Sequence, residues 1–380
     1  MGKIKNIFIV CGELSGDLLA GNLIEAIKKL DPEIKISGVG GEYLAKNGCE
    51  IFYNIRDLSV MGFFDVLKKL PKFIKLKKLI LSKINTDKPD AIIFVDFSGF
   101  NLRLAKVINK RLPIIYYVSP QVWASREGRT NCIKKFISKM IVLFKFEEDF
   151  YKQHQIEAFC PGHPLVDLVK PTLGKQDFLN NFRLSSSRKI VALLPGSRKQ
   201  EILSILPLML KSAQLIHDKI KQAQFIIAKS PNLGIQIYQN ECKKFTLDLR
   251  IIDGLTSDCL NMAEISMVCS GTATLEAAII GKPFVIVYKT NLFNYLLYRP
   301  QIKIPYIGMV NIVAGRKIIP EFIQFSARPK RIAESIINLM QNPDQANQMQ
   351  QNLEKVKTSL GQPGAAERAA KLILDFLHNQ

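Results

Sequence analysis

The hydrophobic positions of the first half of the chain form short runs, and each run is followed by a stretch with helical periodicity. The first such helical stretch is Asp17–Leu30. Short apolar strands that alternate with helices are typical of a parallel sheet covered on both faces. The runs predict strands at Asn6–Gly12, Ile34–Gly38, Ala91–Asp96, Ile114–Val118 and Met140–Phe144.

The same rhythm restarts after Pro161 and predicts a second sheet. The intervening stretch, Pro164–Ser187, is polar and has no clear period, so we interpret it as the connection between two domains. The second set of predicted strands is Ile190–Leu194, Phe225–Ala228, Arg250–Asp253, Ile265–Cys269 and Pro283–Tyr288.

The pattern therefore predicts an α/β protein with two Rossmann-like, doubly wound domains facing each other across a cleft. We place the domains at residues 1–170 and 171–362. Pro363 and Gly364 interrupt the helical C-terminal region before a final amphipathic helix, Ala365–Leu377. Residues 363–380 are predicted to return to the first domain, although an exchange of this helix between protomers stays open, as does a homodimer.

Composition adds an expectation about partners. The chain has 53 basic and 33 acidic residues and a net charge of +20, which predicts an anionic partner: nucleic acid, a membrane surface or a phosphorylated substrate. Seven cysteines are scattered without C-x-x-C or zinc-ligand spacing, as is typical of the reducing cytoplasm. Neither a signal peptide nor an apolar run of transmembrane length is apparent, so we expect a soluble or peripheral protein.

Ligands of doubly wound sheets bind beyond the carboxyl ends of the strands, which directs attention to the turn Ser270-Gly271-Thr272. A helix beginning in this turn would offer backbone N–H groups and hydroxyls to an anion. Glu276 follows within that helix and could accept hydrogen bonds from sugar hydroxyls. The turn thus fits a nucleotide-sugar site, but a helix capped by Thr272, with Glu276 on its surface, is the simpler alternative.

A second loop of the same predicted sheet, Pro195–Arg198, strengthens the nucleotide-sugar interpretation. Gly196 permits a close backbone approach, Ser197 can cap the following helix, and Arg198 can bind a diphosphate bidentately. No D-x-D pair is present to hold a divalent ion on a sugar diphosphate. Helix N-termini and Arg198 would therefore neutralise the leaving group, and we expect no metal and no cofactor.

Two features of the first half could serve an acceptor. The loop Gly12–Asp17 connects a strand to a helix and could be either a plain turn or a substrate loop. Asp96 ends an apolar strand, where its carboxylate could deprotonate a hydroxyl or could form an Asx turn that caps the next helix. His163 lies at the predicted domain junction, where a structural role is expected.

The segment Met61–Ile84 contains seven lysines and one acidic residue, with apolar side chains on one helical face. Pro71 is predicted to divide it into two pieces. A basic amphipathic helix beside a predicted loop tip fits an anionic membrane surface, although an ordinary sheet-covering helix or a nucleic-acid contact could carry the same lysines. The predicted membrane contacts are Phe63, Phe64, Lys68, Lys69, Lys72 and Lys75.

Taken together, these motifs resemble the lipid-A-disaccharide synthase family, bacterial glycosyltransferases of the GT-B type. The resemblance extends over nearly the whole chain in the order of the family. One departure is Ser125, where the family usually has a second tryptophan. The matching motifs are GELSGD (12–17), GVGG (38–41), LSVMGFFDVL (58–67), FVDFSGFN (94–101), YVSPQVWA (117–124), PGHP (161–164), LLPGSR (193–198), SGTATLE (270–276) and NIVAGR (311–316).

The resemblance implies that UDP-2,3-diacylglucosamine donates its sugar to 2,3-diacylglucosamine 1-phosphate, with inversion, in lipid A synthesis. It implies acylated substrates, a peripheral location on the cytoplasmic face of the inner membrane and contact with anionic phospholipid. Asp96 matches the essential acidic position and becomes the expected base. Arg198, Glu276 and Asn311 match positions needed for activity or UDP binding, and the acceptor loop residues are Glu13, Ser15, Asp17 and Met61.

Two alternatives stay open. A related UDP-sugar enzyme, such as another glycosyltransferase or a UDP-GlcNAc 2-epimerase, would have the same fold, but an epimerase needs no lipid-facing segment. A basic nucleic-acid-binding protein would explain the charge, but no recognised nucleic-acid module is visible. We therefore expect no nucleic-acid partner.

Overall fold

The structure, a computed structural model, describes residues 4–57 and 63–379, with the side chains of 57, 63–69, 294 and 298 not described. The chain divides into two compact units. Unit 1 comprises Met1–Pro164, Gln301–Lys303 and Leu360–Gln380, and unit 2 comprises Leu165–Pro300 and Ile304–Ser359.

Unit 1 contains a parallel sheet of seven strands in the order β3-β2-β1-β4-β5-β6-β7. The central strands are built from buried apolar runs; β4, with the sequence AIIFV, is buried along its whole length. Such runs form parallel strands because helices cover both faces of the sheet. The strands are β1 (Asn6–Val10), β2 (Lys35–Gly40), β3 (Glu50–Asn54), β4 (Ala91–Val95), β5 (Ile114–Tyr117), β6 (Lys139–Ile141) and β7 (Ala158–Phe159).

The helices of unit 1 alternate with these strands, and the last helix of the chain packs against the first. In that last helix the buried face contains Ala369, Ala370 and Ile373, at the spacing of an amphipathic helix. The helices are α1 (Leu14–Leu30), α2 (Glu42–Lys46), α3 (Phe63–Asp87), α4 (Ser98–Ile108), α5 (Thr130–Phe136), α6 (Lys145–Gln153) and, at the end of the chain, α17 (Ala365–His378).

Unit 2 contains a parallel sheet of six strands in the order β10-β9-β8-β11-β12-β13. Its core is formed by the buried strands β8, β9, β11 and β12 and by the helices packed on them. The strands are β8 (Lys189–Leu194), β9 (Ala223–Lys229), β10 (Leu249–Asp253), β11 (Ile265–Cys269), β12 (Phe284–Tyr288) and β13 (Glu321–Ile323).

Ten helices belong to the described part of unit 2. They are α7 (Leu165–Leu168), α8 (Lys175–Asn181), α9 (Lys199–Lys219), α10 (Ile235–Cys242), α11 (Thr256–Met262), α12 (Ala273–Ile280), α13 (Leu292–Tyr298), α14 (Met309–Val313), α15 (Pro329–Gln341) and α16 (Pro343–Ser359). Short 3-10 turns occur at Ile55–Asp57, Glu127–Arg129, Arg299–Gln301 and Gln324–Ser326.

The predicted class, two doubly wound parallel sheets, is confirmed, and all ten predicted strands are present. The pattern missed β3, β7 and β13, each of which is an edge strand. Edge strands are short or half-exposed, as β3 is along its length, so they lack the apolar run by which a central strand is recognised.

Two sequence interpretations were wrong. The stretch Pro164–Ser187 is not a bare connection, because α7 and α8 belong to unit 2 and Phe178 is fully buried in its core. Pro71 does not divide its segment, because α3 runs through it as one helix. A proline removes one helical hydrogen bond, and burial of Leu76 and Ile80 on the inner face of α3 offsets that loss.

Among the helices of residues 4–57 and 63–379, none is both long enough and apolar enough to cross a bilayer.

Candidate active site

In unit 2, the two loops predicted to bind the nucleotide follow neighbouring strands. Strands β8 and β11 pair in parallel, with Leu194 opposite Val268. Parallel strands end at the same edge of a sheet, so Pro195–Arg198 and the Ser270-Gly271-Thr272 turn lie side by side, as the sequence predicts.

The loop before α9 is shaped by Glu201, a residue that no sequence motif indicated. Its buried carboxylate accepts hydrogen bonds from the backbone N–H groups of Ser197 (3.0 Å) and Arg198 (3.2 Å). Gly196 has φ +111°, and a Cβ atom there would lie 2.4 Å from Glu201 Oε2. The cap of α9 is therefore Glu201 and not Ser197 as predicted, while the Ser197 side chain stays exposed.

Arg198 is positioned by the same carboxylate. Its guanidinium lies 3.3 Å from Glu201 Oε1 and keeps 44% of its side-chain surface exposed. Because a half-exposed pair of this kind contributes little stability, the pair serves mainly to orient the guanidinium. The exposed part of the Arg198 side chain lies in the loop that follows β8, where a diphosphate could bind.

The turn between β11 and α12 is open to an anion. Gly271 has φ +144°, a conformation that favours glycine. Among the described residues, no acceptor receives the backbone N–H groups of Gly271, Thr272 or Ala273. The predicted alternative, a cap from Thr272, is not formed, because the Thr272 side chain makes no capping hydrogen bond. The hydroxyl of Ser270 instead donates to the carbonyl of Ile307 at 3.0 Å.

Glu276 is half-buried in α12, and burial raises the pKa of its carboxyl group. No side chain or backbone group among the described residues hydrogen-bonds or ion-pairs with its carboxylate. An ionised carboxylate that is partly removed from water without a partner is costly unless a ligand supplies hydrogen bonds. Glu276 is thus not a fully exposed helix surface residue, and its carboxylate is available to a ligand.

Asn311 is fully hydrogen-bonded within the protein. Its Oδ1 accepts from the backbone N–H groups of Ile318 (2.8 Å) and Ile319 (2.9 Å), and its Nδ2 donates to Glu321 Oε1 and the Ile319 carbonyl, both at 2.9 Å. Glu321 in turn accepts from the N–H of Gly308 at 3.0 Å. Every donor and acceptor of the Asn311 amide is therefore used within the protein, so in this structure the amide holds the Ile318–Ile319 backbone and has no group left for UDP.

In unit 1, the proposed base sits in a strained turn. Asp96 has φ +47° and Phe97 has φ +48°, and Val118, at the end of the neighbouring strand, has φ +63°. The backbone N–H of Asp96 donates to the Val118 carbonyl at 3.2 Å, which ties the two strained loops together. Non-glycine residues in this region cost on the order of 1–3 kcal/mol each and cluster at functional sites.

The backbone around Asp96 is held from two sides. Its carbonyl accepts hydrogen bonds from Tyr116 Oη at 2.5 Å and from Asn101 Nδ2 at 2.9 Å. Asp96 itself is half-buried. Burial, with a smaller contribution from the Asp96 charge, raises the pKa of the Tyr116 hydroxyl, so Tyr116 acts here as a neutral donor.

The Gly12–Asp17 loop adjoins the same turn. A Cβ atom at Gly12 would lie 2.3 Å from Cγ of Phe97, so only glycine permits this approach. Glu13 is exposed and Ser15 half-buried at the start of α1, where both can reach a ligand. Asp17 differs from its predicted role in substrate contact: it is fully buried and accepts from the N–H groups of Gly41 (2.6 Å) and Tyr43 (2.9 Å), which caps α2.

The outer side of α3 is apolar and cationic. Leu70 and Ile74 are 43% and 48% exposed, and Lys72 and Lys75 are exposed beside them. Phe63 and Phe64 begin α3 rather than forming a loop tip. The predicted residue Met61 lies outside the described residues, as do the side chains of Phe63, Phe64, Lys68 and Lys69.

Two further polar residues, His163 and Glu147, are buried within unit 1. Burial lowers the pKa of His163 to about 3, and its ring packs on Phe144 at a centroid distance of 5.2 Å. Glu147, which no motif revealed, is a buried carboxylate that accepts from Ser119 Oγ at 2.6 Å and Trp123 Nε1 at 3.0 Å. It therefore holds the loop that ends in Ser125. Within the described part of the chain, no group of three His, Cys, Asp or Glu side chains is arranged to hold a metal ion.

The model of one protein family, described as lipid-A-disaccharide synthetase, matches residues 7–376. The chain belongs to the lipid-A-disaccharide synthetase family. It is accordingly a glycosyltransferase with a role in lipid A disaccharide synthesis, and the function predicted from the motifs is confirmed at this level.

Members of the family from several bacteria align with this chain over nearly its whole length. Lipid-A-disaccharide synthase of Syntrophus aciditrophicus is 38% identical over 375 residues, which cover 98% of both chains. The synthase of Geobacter sulfurreducens is 35% identical, again over 98% of both chains. That of Coxiella burnetii is 34% identical over 98% of this chain and 99% of its own.

Solved structures show the same fold at low identity. UDP-GlcNAc 2-epimerase from Neisseria meningitidis, bound to UDP-GlcNAc, superposes with a TM-score of 0.67 at 13% identity over 99% of this chain and all of that chain. The glycosyltransferase of kitacinnamycin gives 0.63 at 13% identity over the same shares. The GT-B type of fold is thereby confirmed, while the epimerase alternative gains nothing, because identity this low shows the fold alone.

Proposed function

We propose that the enzyme transfers the diacylglucosamine unit of UDP-2,3-diacylglucosamine to 2,3-diacylglucosamine 1-phosphate, with UDP as the second product. The observation that carries this proposal is the family match over residues 7–376, which includes all the loops that form both half-sites. The new bond is a β(1→6) linkage, formed with inversion at the donor anomeric carbon.

Asp96 is the proposed base of a single displacement. As the 6-oxygen of the acceptor attacks C1 of the donor sugar, its proton passes to the Asp96 carboxylate. The bond between C1 and the diphosphate oxygen breaks, and its electron pair leaves with UDP. The strained backbone around Asp96, tied to Tyr116 and Val118, supports this role because it fixes the carboxylate before the acceptor arrives.

The donor is assigned to the loops of unit 2. The unpaired N–H groups of Gly271, Thr272 and Ala273 and the exposed guanidinium of Arg198 are suited to a diphosphate, whose negative charge grows as it leaves. The Glu276 carboxylate, which has no partner among the described residues, is suited to the hydroxyls of the nucleotide sugar. With these groups the reaction needs no metal ion and no cofactor.

Contact with a membrane follows from the acylated substrates. We assign it to the outer side of α3, where Leu70 and Ile74 are exposed close to Lys72 and Lys75. Apolar side chains can enter the interfacial layer while lysines contact anionic headgroups. The enzyme would then work on the cytoplasmic face of the inner membrane.

Incubation of the purified protein with both substrates in detergent micelles tests the proposal. We expect equal amounts of UDP and disaccharide phosphate, an unchanged rate in EDTA, and a β-anomeric proton signal in the product. UDP-GlcNAc serves as a control donor that tests for epimerisation. Absence of disaccharide, a rate that depends on Mg²⁺, or interconversion of UDP-GlcNAc epimers would contradict the proposal.

A further inference from the structure

Three arginines gather beside the Asp96 turn of unit 1. Arg129 is half-buried at the end of the Glu127–Arg129 turn, and Nη1 of its guanidinium lies 3.4 Å from Ser98 Oγ. Arg103 on α4 and Arg126 are the nearest cations to it, close enough to lower the pKa of Arg129, although burial is the larger cause. Ser98 follows Asp96 by two positions and begins α4.

The described residues offer no carboxylate partner to the half-buried guanidinium of Arg129, nor to the exposed side chains of Arg103 and Arg126. Among the described residues, none of the three forms an ion pair with a carboxylate. Arg126 donates only to the side-chain amide oxygen of Gln301, at 3.3 Å. The nearby carboxylate of Glu127 pairs with Lys303 at 2.8 Å and contacts His154 at 3.2 Å instead.

Structural arginines elsewhere in unit 1 behave differently. Arg111 donates to the carbonyls of Ile108 and Val107, which satisfies the C-terminal end of α4. Arg368 donates to three carbonyls in the same way. Within the described part of the chain, the Arg129 side chain hydrogen-bonds only to the Ser98 hydroxyl, although its guanidinium carries five N–H donors. A partly desolvated cation beside two like charges is unfavourable, and binding of an anion would relieve this cost.

We propose that Arg129, assisted by Arg126, binds the phosphate monoester of the acceptor substrate and so orients its 6-hydroxyl toward Asp96. The planar guanidinium matches two phosphate oxygens, and the Ser98 hydroxyl can supply a further donor. The phosphate and the attacking hydroxyl belong to the same pyranose ring, which agrees with the proximity of Ser98 to Asp96. This inference rests on the proposed function, since it identifies the group by which the acceptor is recognised.

A comparison of two acceptors tests the inference. One is 2,3-diacylglucosamine 1-phosphate, and the other is the same molecule without the phosphate. For Arg129→Gln we expect kcat/KM for the phosphorylated acceptor to fall by about a hundredfold, with kcat/KM for the other acceptor nearly unchanged. Arg129→Lys keeps the positive charge but lacks the planar guanidinium, so its kcat/KM should fall by about tenfold for the phosphorylated acceptor only. Equilibrium binding of both acceptors provides the same comparison without turnover.

Matched controls separate the possible outcomes. Arg111→Gln removes the same charge from unit 1 and should leave the ratio of the two acceptors as in the wild type, and thermal unfolding reports on folding of each variant. Vesicles of anionic phospholipid should bind Arg129→Gln as well as the wild type, because the site is assigned to the substrate and not to a headgroup. An equal loss with both acceptors, a wild type that does not distinguish them, or a loss of vesicle binding would overturn the inference while leaving disaccharide synthesis standing. A wild type without any synthase activity would instead overturn the proposed function.

Discussion

The ring of Phe73 packs 5.9 Å, centroid to centroid, from the ring of Phe97, the residue that directly follows Asp96. Phe100 completes the group, 5.1 Å from Phe97 and 6.2 Å from Phe73. The inner side of the lysine-bearing helix α3 therefore supports the turn that holds the proposed base. In the proposed function, α3 would therefore contact the membrane with its outer side and support the turn of the proposed base with its inner side.

Replacing Phe73 by alanine should lower kcat more than stability alone explains. The ring is half-buried, so we expect a loss of about 1–2 kcal/mol in the free energy of unfolding. The Asp96 turn loses its support, and kcat should fall by about tenfold while the KM for the donor stays the same. Phe52→Ala is the matched control: this half-buried ring packs on Phe8 at 5.7 Å, away from the turn. Equal kcat losses in both variants would show that α3 does not support the turn.

The exposed lysines of α3 should govern binding to anionic vesicles. Each lysine near such a surface contributes about 1 kcal/mol, so changing Lys72, Lys75 and Lys78 to glutamine together should weaken binding on the order of a hundredfold. Cosedimentation with vesicles at several salt concentrations measures this, and the salt dependence should also become shallower.

The control variant for that experiment has the same net charge as the α3 variant, because it also loses three lysines. It changes the exposed lysines Lys211, Lys243 and Lys355 of unit 2, which should leave vesicle binding as in the wild type. Retention of the wild type on DNA at physiological salt, or equal weakening by both sets of changes, would favour a general polycation effect over a membrane surface on α3.

Glu276 should show opposite effects on activity and stability. Its ionised carboxylate is needed to accept hydrogen bonds from the donor, and burial raises its pKa. The kcat/KM for the donor should therefore decline as the pH falls through that raised pKa. Glu276→Gln should lower donor affinity by about tenfold or more at neutral pH and should remove this part of the pH profile.

The stability effect has the reverse sign. Because the pKa in the native state lies above its unfolded value, protonation favours the native state, and ionisation at neutral pH destabilises it. In the absence of donor, Glu276→Gln should be more stable than the wild type at neutral pH, and the difference should shrink as the pH falls from the raised pKa toward the ordinary pKa of a glutamate, below which it disappears. Urea denaturation at a series of pH values measures this; a variant less stable than the wild type at neutral pH would indicate a partner for Glu276 within the protein.

Central strands and the loops after them could be predicted from the sequence because they combine apolar runs with short-range signals. The run AIIFV before Asp96 and the glycines of the two unit 2 loops are of this kind. The loop Pro195–Arg198 could be placed beside the Ser270-Gly271-Thr272 turn because each follows a strand of the same predicted sheet. The edge strands β3, β7 and β13 lack such an apolar run. The continuity of α3 through Pro71 could not be predicted either, because a proline usually interrupts a helix.

Long-range hydrogen bonds explain the remaining differences. Asp17 caps a helix 24 residues further along the chain, through its bond to the Gly41 N–H. A polar residue in a glycine-rich loop is equally compatible with substrate binding, so local sequence cannot distinguish the two roles. Asn311 and Glu201 are similar cases, since only the fold shows that their polar atoms are used within the protein.

The role of Asp96 is the central claim, and Asp96→Asn tests it most directly. The change keeps the size of the side chain but removes the base, so kcat should fall by about a thousandfold. The Kd for UDP, measured by calorimetry, should stay within about twofold of the wild type, because the donor loops belong to unit 2. Glu33→Gln, an exposed carboxylate of unit 1, serves as the control and should retain full activity. Turnover within tenfold of the wild type, or a large loss of UDP affinity in Asp96→Asn, would contradict the assignment of Asp96 as the base.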